Sequence, residues 1–220
     1  MASPADRPAR PALTRERILR AAIDLADEDG IEALTMRRLG RRLGVEAMSL
    51  YNHVADKDDI IDGMVELVAT EFEVPDGAAD WKSSIRASAI SVHEVLLRHP
   101  WASRAMESQA RAGAARLRLL DALIGILAGA GFPMPMVIRT LIAIDSHTYG
   151  FTLQEQSWPF PSDMAPEIAA ALVDDLPADA YPNVASMLGF VTTTRPGSLV
   201  DFEFGLDSLL DGLERRLANG

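Results

Sequence analysis

The sequence contains no cysteine, few aromatic residues and no long apolar run, and each shortage excludes a class of protein. Without cysteine the chain has no disulfide framework and no thiolate metal site, which fits the reducing cytoplasm where we expect it to act. No run of 18 or more apolar residues occurs, so we predict no membrane-spanning helix and no membrane partner. Phe, Trp and Tyr make up only 6% of the residues. Because alanine and leucine abound and no strand pattern is present, we predict an all-α protein.

Motifs of common enzyme classes are also missing. The chain has no G-x-S-x-G and no H-E-x-x-H, and no glycine-rich phosphate loop follows a predicted strand. His93 and His99 are six residues apart, so they do not share a helix face as zinc ligands would. We therefore predict that the protein is not an enzyme and that it uses neither a cofactor nor a metal ion.

Acidic residues outnumber basic residues, but the imbalance is uneven along the chain. The formal net charge is −11, from 32 Asp and Glu against 21 Lys and Arg. Between residues 35 and 57, however, five basic side chains stand against two acidic ones. A basic segment around short helices is the electrostatic footprint of a nucleic-acid reader. DNA would repel the acidic remainder, which would orient this segment towards it.

The same segment has the layout of two short helices joined by a tight turn. Leu39 and Leu43 are four residues apart, which places them on one face of a short helix that Thr35 can cap. Gly44 can adopt the left-handed conformation that ends this helix. A second short helix, from about Ala47 to Val54, can then cross the first. This pattern predicts a helix-turn-helix, and the alternative is a charged, solvated helix pair without a partner.

Helix-start and helix-stop residues predict three segments. A first helix runs from Thr14 to about Asp29, and a connecting helix capped by Asp56 runs to about Phe72. The turn residues 75–77, Pro-Asp-Gly, then mark a domain boundary. We predict a disordered arm over residues 1–13, a helix-turn-helix DNA-binding domain over residues 14–74 that includes the connecting helix, and a C-terminal ligand-binding and dimerisation domain over residues 75–220.

The C-terminal domain is predicted to consist of five or six helices, bounded by proline and glycine. Their expected ranges are 81–98, 101–109, 114–130, 134–156, 166–176 and 198–218.

Two of these helices, 134–156 and 198–218, are long and apolar enough to form a dimer interface. Paired with their copies, they would make a four-helix bundle that buries the same patch on both protomers. The predicted interface residues are Val137, Leu141, Ile144, Thr148, Phe151, Phe202, Leu206, Leu209 and Leu213. The first of the two helices also carries a second apolar stripe with Ile138, Ile142 and Tyr149. The sequence therefore does not decide which of the two stripes faces the partner protomer. The alternative is that both stripes fill the core of one protomer.

The motifs of the basic segment together resemble a known DNA-binding pattern. They are Leu-Thr-Met-Arg-Arg-Leu at 34–39, Leu-Gly-Val at 43–45, Ser-Leu-Tyr-Asn-His-Val at 49–54 and Asp-Lys at 56–57. This combination is similar to that of the TetR family of bacterial transcriptional repressors, from Thr14 to about Phe72. Residues 202–214 resemble the last helix of a tetracycline-repressor-like C-terminal domain. The resemblance implies a homodimer that binds a palindromic double-stranded operator and a small-molecule effector.

The resemblance also implies which residues contact DNA. It places the reading helix at residues 47–53. The implied DNA-binding residues are Thr35, Arg37, Arg38, Ala47, Met48, Ser49, Tyr51, Asn52, His53 and Lys57. Asn52 can pair with adenine in the major groove, whereas Lys57 is suited to a phosphate, which positions the protein without specifying sequence. For Tyr51 the alternative is packing against the first helix.

An effector pocket is expected among the helices of the C-terminal domain. The resemblance places Ser88 and Val92 on its wall. Met64, Trp101, Met106 and Met134 are added from composition, because Met and Trp make adaptable apolar linings. Plain core packing is the alternative for each of these side chains. Met106 stands near the place of the metal-binding histidine of the tetracycline repressor, so a tetracycline–magnesium ligand is not expected.

These expectations combine into one function. We expect a sequence-specific DNA-binding transcriptional regulator, a repressor that a small apolar effector releases from a palindromic operator. Two alternatives remain open. One is a ligand-binding or catalytic helical protein that retains a helix-turn-helix, and the other is a regulator that binds DNA without a ligand.

Overall fold

The structure is a computed structural model that describes residues 12–109, 111–157, 164–195 and 200–219, and within these ranges it is helical without strands. Its α-helices are α1 (Arg15–Asp29), α2 (Met36–Leu43), α3 (Ala47–Leu50), α4 (Lys57–Ala69), α5 (Trp81–Arg98), α6 (Ala102–Ser108), α7 (Ala114–Gly129), α8 (Met134–Ser157), α9 (Ala165–Asp175), α10 (Pro182–Val191) and α11 (Phe202–Ala218). The predicted all-α class is confirmed. The predicted disordered arm falls outside the described residues apart from residues 12 and 13. None of the described helices combines the length and hydropathy needed to cross a lipid bilayer.

Local capping chemistry sets the ends of the N-terminal helices where the sequence predicts them. The hydroxyl of Thr35 accepts a hydrogen bond from the backbone N–H of Arg38 at 3.2 Å, which caps α2. Gly44 ends α2 in the left-handed conformation, with φ of 70°. The carboxylate of Asp56 accepts from the backbone N–H of Asp59 at 2.8 Å and so caps α4.

The helix-turn-helix closes over a small apolar core. Leu39 of α2, Leu50 of α3 and Ile18 of α1 are all 0% exposed. Gly40 lets α2 and α3 approach closely, because a Cβ at this position would lie 2.9 Å from the carbonyl oxygen of Val45. The predicted helix-turn-helix is therefore present, with α1 packed against α2 and α4.

Two predicted boundaries are corrected, and one helix was missed. The reading helix was expected to run to Val54, but α3 is helical only over Ala47–Leu50 and continues as turns through residue 53. Helix α10 was not predicted, and none of its residues is buried, so it lacks the inward apolar stripe on which such predictions depend. Helix α11 begins at Phe202 with Asp201 as its cap, whereas the predicted start at residue 198 lies outside the described residues.

The chain forms two compact units whose limits differ from the predicted domain boundary. The first unit contains the chain up to Ala78 together with Ser91–Gly125, and the second contains Ala79–Ile90 and the chain from Ile126 onwards. The C-terminal part of α5, all of α6 and most of α7 thus belong to the unit that holds the helix-turn-helix. One reason is that α4 packs against α6.

In the second unit, polar and aromatic contacts hold α11 against α5 and α8. The Nε of Arg86 lies 2.7 Å from Oδ1 of Asp207, and the Nζ of Lys82 lies 2.7 Å from Oε2 of Glu214. The imidazole of His147 stacks on the ring of Phe202 with their centroids 4.9 Å apart. These contacts fix the face of α11 that the unit buries.

Candidate nucleic-acid interface and effector domain

The residues predicted to contact DNA lie on the surface of the helix-turn-helix. Thr35, Arg37, Arg38, Met48, Tyr51, Asn52, His53 and Lys57 are exposed, and Ala47 and Ser49 are half-buried. The side chain of Met48 is 75% exposed although it is apolar, while its neighbour Leu50 faces the core. Tyr51, for which packing against the first helix was the alternative, is 46% exposed. The geometry therefore offers a free surface at the second helix of the motif.

An ion pair between α1 and α4 fixes the end of the reading segment. The guanidinium of Arg15 binds both carboxylate oxygens of Asp59, at 2.6 Å and 2.7 Å. Its Nη1 also lies 3.4 Å from the carbonyl oxygen of His53, and Asp59 accepts from the backbone N–H of Ala55 at 2.8 Å. We call these four residues the α1–α4 bracket. Sequence spacing does not predict this bracket, because Arg15 and Asp59 are 44 residues apart in the chain.

The bracket shifts the titration of both partners. The hydrogen bond from Arg15, followed by the backbone N–H of Ala55, lowers the pKa of the Asp59 carboxyl from 3.8 to about 2. The same contact raises the pKa of the Arg15 guanidinium. Since the pKa of Asp59 is depressed in the folded state, its stabilising effect is complete above pH 3.8 and is lost as the pH falls through about 2.

Replacing Asp59 with asparagine is expected to lower the free energy of unfolding by about 1 kcal/mol at pH 7, a modest value because the pair is partly exposed and screened. DNA affinity is expected to fall about fivefold, since the position of His53 is no longer fixed. Thermal unfolding between pH 2 and pH 7 and fluorescence anisotropy with labelled duplex measure the two effects. Asp58→Asn, a change of the exposed neighbour in the same helical turn, is the matched control. Equal losses in both variants would contradict a specific role for the bracket.

Two basic residues of α2 pair with acids at the end of α1. The Nη2 of Arg38 lies 2.5 Å from Oδ2 of Asp29, and Arg42 forms two hydrogen bonds of 2.6 Å with Glu28. Arg37 forms no ion pair with any residue in the described ranges. A phosphate would therefore compete with Asp29 for Arg38, whereas the guanidinium of Arg37 is available.

The residues predicted to line an effector pocket are buried, with one exception. Met134, at the start of α8, is 52% exposed. Met64 and Met106 are 0% and 1% exposed, which supports the alternative of core packing for both. Ser88, Val92 and Trp101 are also buried. The indole N–H of Trp101 donates to the carboxylate of Asp27 at 2.7 Å.

Five of the nine residues of the predicted dimer stripe are buried within the protomer, and the other four are half-buried. Val137, Ile144, Thr148, Phe202 and Leu206 are all buried, with exposures between 0% and 7%. Leu141, Phe151, Leu209 and Leu213 are half-buried. A helix with two apolar stripes does not reveal from its sequence which one faces inward.

The other stripe of α8 lies at the surface. Ile138 is 53% exposed and Ile142 is 60% exposed. Between α8 and α11 there is also an open groove of about 470 Å³, lined by Met136, Arg139, Thr140, Ala143, Ser208, Leu209, Gly212, Leu213 and Arg216. The unpartnered apolar surface of these two helices therefore includes Ile138, Ile142 and the half-buried Leu209 and Leu213.

Two of the histidines, His99 and His147, have structural partners in this fold. The Nδ1 of His99 lies 2.9 Å from Asp27, and the Nε2 of His147 lies 2.9 Å from the carbonyl oxygen of Phe202. Within the described ranges, no group of three or more His, Asp or Glu is arranged to hold a metal ion.

Comparison with known proteins places this arrangement in one family. Residues 18–64 match the family described as bacterial regulatory proteins, tetR family, and residues 74–217 match the tetracyclin repressor-like C-terminal domain. The chain belongs to the TetR family. The TetR-family resemblance of the helix-turn-helix and of the C-terminal domain is thereby confirmed. The protein is a DNA-binding transcriptional regulator.

Individual TetR-family relatives cover most of the chain. An HTH-type transcriptional regulator of Saccharopolyspora erythraea is 35% identical over 68% of this chain and 64% of its own length. The HTH-type transcriptional repressor DrrR1 of Streptomyces coeruleorubidus is 29% identical over 93% of this chain and 78% of its own length. The structure of apo ActR from Streptomyces coelicolor has a TM-score of 0.77 at 25% identity, over 96% of this chain and 99% of ActR. ActR has also been solved in complex with (S)-DNPA, with a TM-score of 0.72 over 95% of this chain and 99% of that one.

Proposed function

We propose that this regulator is a homodimeric repressor that binds a palindromic operator and is released from it by a small apolar effector. The observation that carries the proposal is the exposed segment 47–53, which the α1–α4 bracket holds in place beside a basic α2. One such segment is too short to read many bases. Two copies related by a two-fold axis, about 34–36 Å apart, would read two half-sites in successive major grooves.

The predicted DNA-binding residues have different roles in this proposal. Asn52 reads a base edge, because its amide can both donate to and accept from adenine. Met48 and Ala47 contact thymine methyl groups. Arg37, Lys57 and the exposed hydroxyl of Thr35 hold phosphates, and Arg38 does so by exchanging Asp29 for a phosphate oxygen. The functional DNA-binding domain in this proposal is residues 14–74, and residues 75–220 bind the effector and dimerise.

The dimer in this proposal forms through the exposed surfaces of α8 and α11. The proposed interface contains Ile138 and Ile142 instead of the buried residues of the predicted stripe. It keeps Leu209 and Leu213. The match of residues 74–217 to a tetracyclin repressor-like domain supports a regulatory role for this half. The solved complex of ActR with (S)-DNPA supports an effector of small size. We further propose that the protein acts in the cytoplasm, without a cofactor and without catalysis, as a regulator rather than an enzyme.

Selection from a random duplex library tests the proposed function. Bound DNA is recovered and sequenced at two salt concentrations. We expect enrichment of one inverted repeat at both, with total binding that weakens as salt rises because phosphate contacts release counterions. Binding that is uniform across sequences and vanishes at the higher salt concentration would contradict the proposal. The enriched duplex, called the operator below, then serves to screen small molecules for release.

A further inference from the structure

A carboxylate of α4 caps the start of another helix. Oε1 of Glu66 accepts a hydrogen bond from the backbone N–H of Ala115 at 2.8 Å, across 49 residues of sequence. Ala115 is the second residue of α7, where backbone N–H groups have no partner inside the helix. A carboxylate at this end also interacts favourably with the helix dipole. Glu66 therefore supplies from a distance what an N-cap residue normally supplies from within the chain.

The backbone at Gly113 is shaped around this carboxylate. A Cβ added to Gly113 would lie 2.0 Å from Oε2 of Glu66 and 3.0 Å from its Cδ, and the three nearest atoms all belong to Glu66. Oε2 is buried and accepts no hydrogen bond within the described structure. Burying an unpaired carboxylate oxygen is unfavourable. The contact is thus close and specific, and it leaves one carboxylate oxygen of Glu66 without a hydrogen-bond partner among the described residues.

Helix α4 links this contact to the DNA reader. Its first turn carries Asp59, which belongs to the α1–α4 bracket, and Glu66 follows seven residues later on the same helix. Seven residues of α-helix span about 10 Å. Ala115 lies in the first turn of α7, and both Glu66 and Ala115 belong to the first compact unit. The Glu66 contact therefore joins α4 to the start of α7 within that unit.

We propose that Glu66 is the positioning residue that couples α7 to the DNA-binding segment. A displacement of the first turn of α7 pulls on Glu66, and α4 transmits the shift to Asp59, Arg15 and His53. The inference rests on the proposed function and assigns its regulation to one contact. Because coupling between sites is reciprocal, operator binding that immobilises α4 must also stabilise the first turn of α7.

Hydrogen exchange of the full-length protein, with and without operator duplex, tests this coupling without a known effector. In the wild type we expect operator to slow exchange of the backbone amides of residues 114–118. In Glu66→Ala these amides should exchange about fivefold faster in the free protein, as for a lost helix cap, and operator should no longer change them. Gly113→Ala should reproduce both effects, because its Cβ displaces the carboxylate of an intact Glu66.

Three comparisons separate coupling from a loss of structure. Glu66→Gln keeps an acceptor oxygen and should restore the operator-dependent change. The double variant of Glu66→Ala and Gly113→Ala should behave like either single variant, since both remove the same contact. Gly129→Ala lies in the same helix, where an added Cβ meets no atom within 4 Å, and should leave the operator-dependent change intact.

The outcomes that overturn the inference differ from those that overturn the proposed function. If the wild type binds operator but amide exchange at residues 114–118 does not change, Glu66 does not couple α7 to the DNA-binding segment. The inference is also overturned if the operator-dependent change in exchange survives in Glu66→Ala and Gly113→Ala, or if Glu66→Gln fails to restore it. It is likewise overturned if the double variant shows a larger effect on exchange than either single variant, or if Gly129→Ala abolishes the operator-dependent change. Failure of the wild type to bind any selected duplex, measured by anisotropy beforehand, would overturn the proposed function and the inference with it.

Discussion

Replacing Gly40 with alanine is expected to weaken operator binding about 10- to 100-fold, although alanine is the better helix former. The added Cβ would lie 2.9 Å from the carbonyl oxygen of Val45 and 3.2 Å from the Cα and N of Ala47. These are backbone atoms of the turn and of the first residue of α3, so they cannot yield without moving α3 relative to α2. Overpacking of this kind costs about 1–3 kcal/mol and outweighs the gain in helix propensity of about 1 kcal/mol.

The effect of Gly40→Ala is measured by fluorescence anisotropy with labelled operator and by thermal unfolding. Gly129→Ala in α7 is the matched control, because an added Cβ there meets no atom within 4 Å. The control should bind operator as the wild type does and unfold at a slightly higher temperature. Wild-type affinity in Gly40→Ala would show that the close approach of α2 and α3 does not set the reading geometry.

Replacing Ile142 with glutamate is expected to raise the dimer dissociation constant by at least about 100-fold. Ile142 is 60% exposed in the protomer and lies beside Ile138 on α8. In the proposed bundle both copies would bury an unpaired carboxylate, which the interface cannot solvate. Operator affinity should fall in parallel, because a monomer retains only one half-site.

Sedimentation velocity across a concentration series measures this change, with circular dichroism to check that the protomer remains folded. Leu117→Glu is the control, since Leu117 of α7 is 53% exposed and lies outside the proposed interface. The control should remain dimeric. A dimer that persists in Ile142→Glu, or a wild type that is monomeric at micromolar concentration, would exclude this surface as the interface.

The parts of the fold that depend on local chemistry could be predicted from the sequence. Thr35 and Asp56 cap α2 and α4 as expected, and Gly44 takes the left-handed conformation that ends α2. Such signals work because a cap or a turn satisfies backbone groups only two or three residues away. The positions of the exposed reading residues follow from the same local pattern, since Leu39 and Leu50 orient both helices towards the core.

Contacts between distant residues could not be predicted in this way. The pairs Arg15–Asp59 and Glu66–Ala115 span 44 and 49 residues, and no spacing rule joins them. Helix α8 shows a different limit. Its two apolar stripes are alike in composition, so only packing against α11 decides that Val137 faces inward and Ile142 outward. A single sequence identifies an apolar face but not the surface that covers it.

Operator binding as a function of half-site spacing tests the central claim, a two-fold dimer that reads DNA with residues 47–53 of each protomer. The measurement compares the selected inverted repeat with a single half-site and with the repeat lengthened by about 5 base pairs, half a helical turn. We predict two protomers per duplex on the intact repeat, and affinity reduced at least about 100-fold for both altered duplexes. Equal affinity for all three duplexes, or one protomer per intact repeat, would contradict the account.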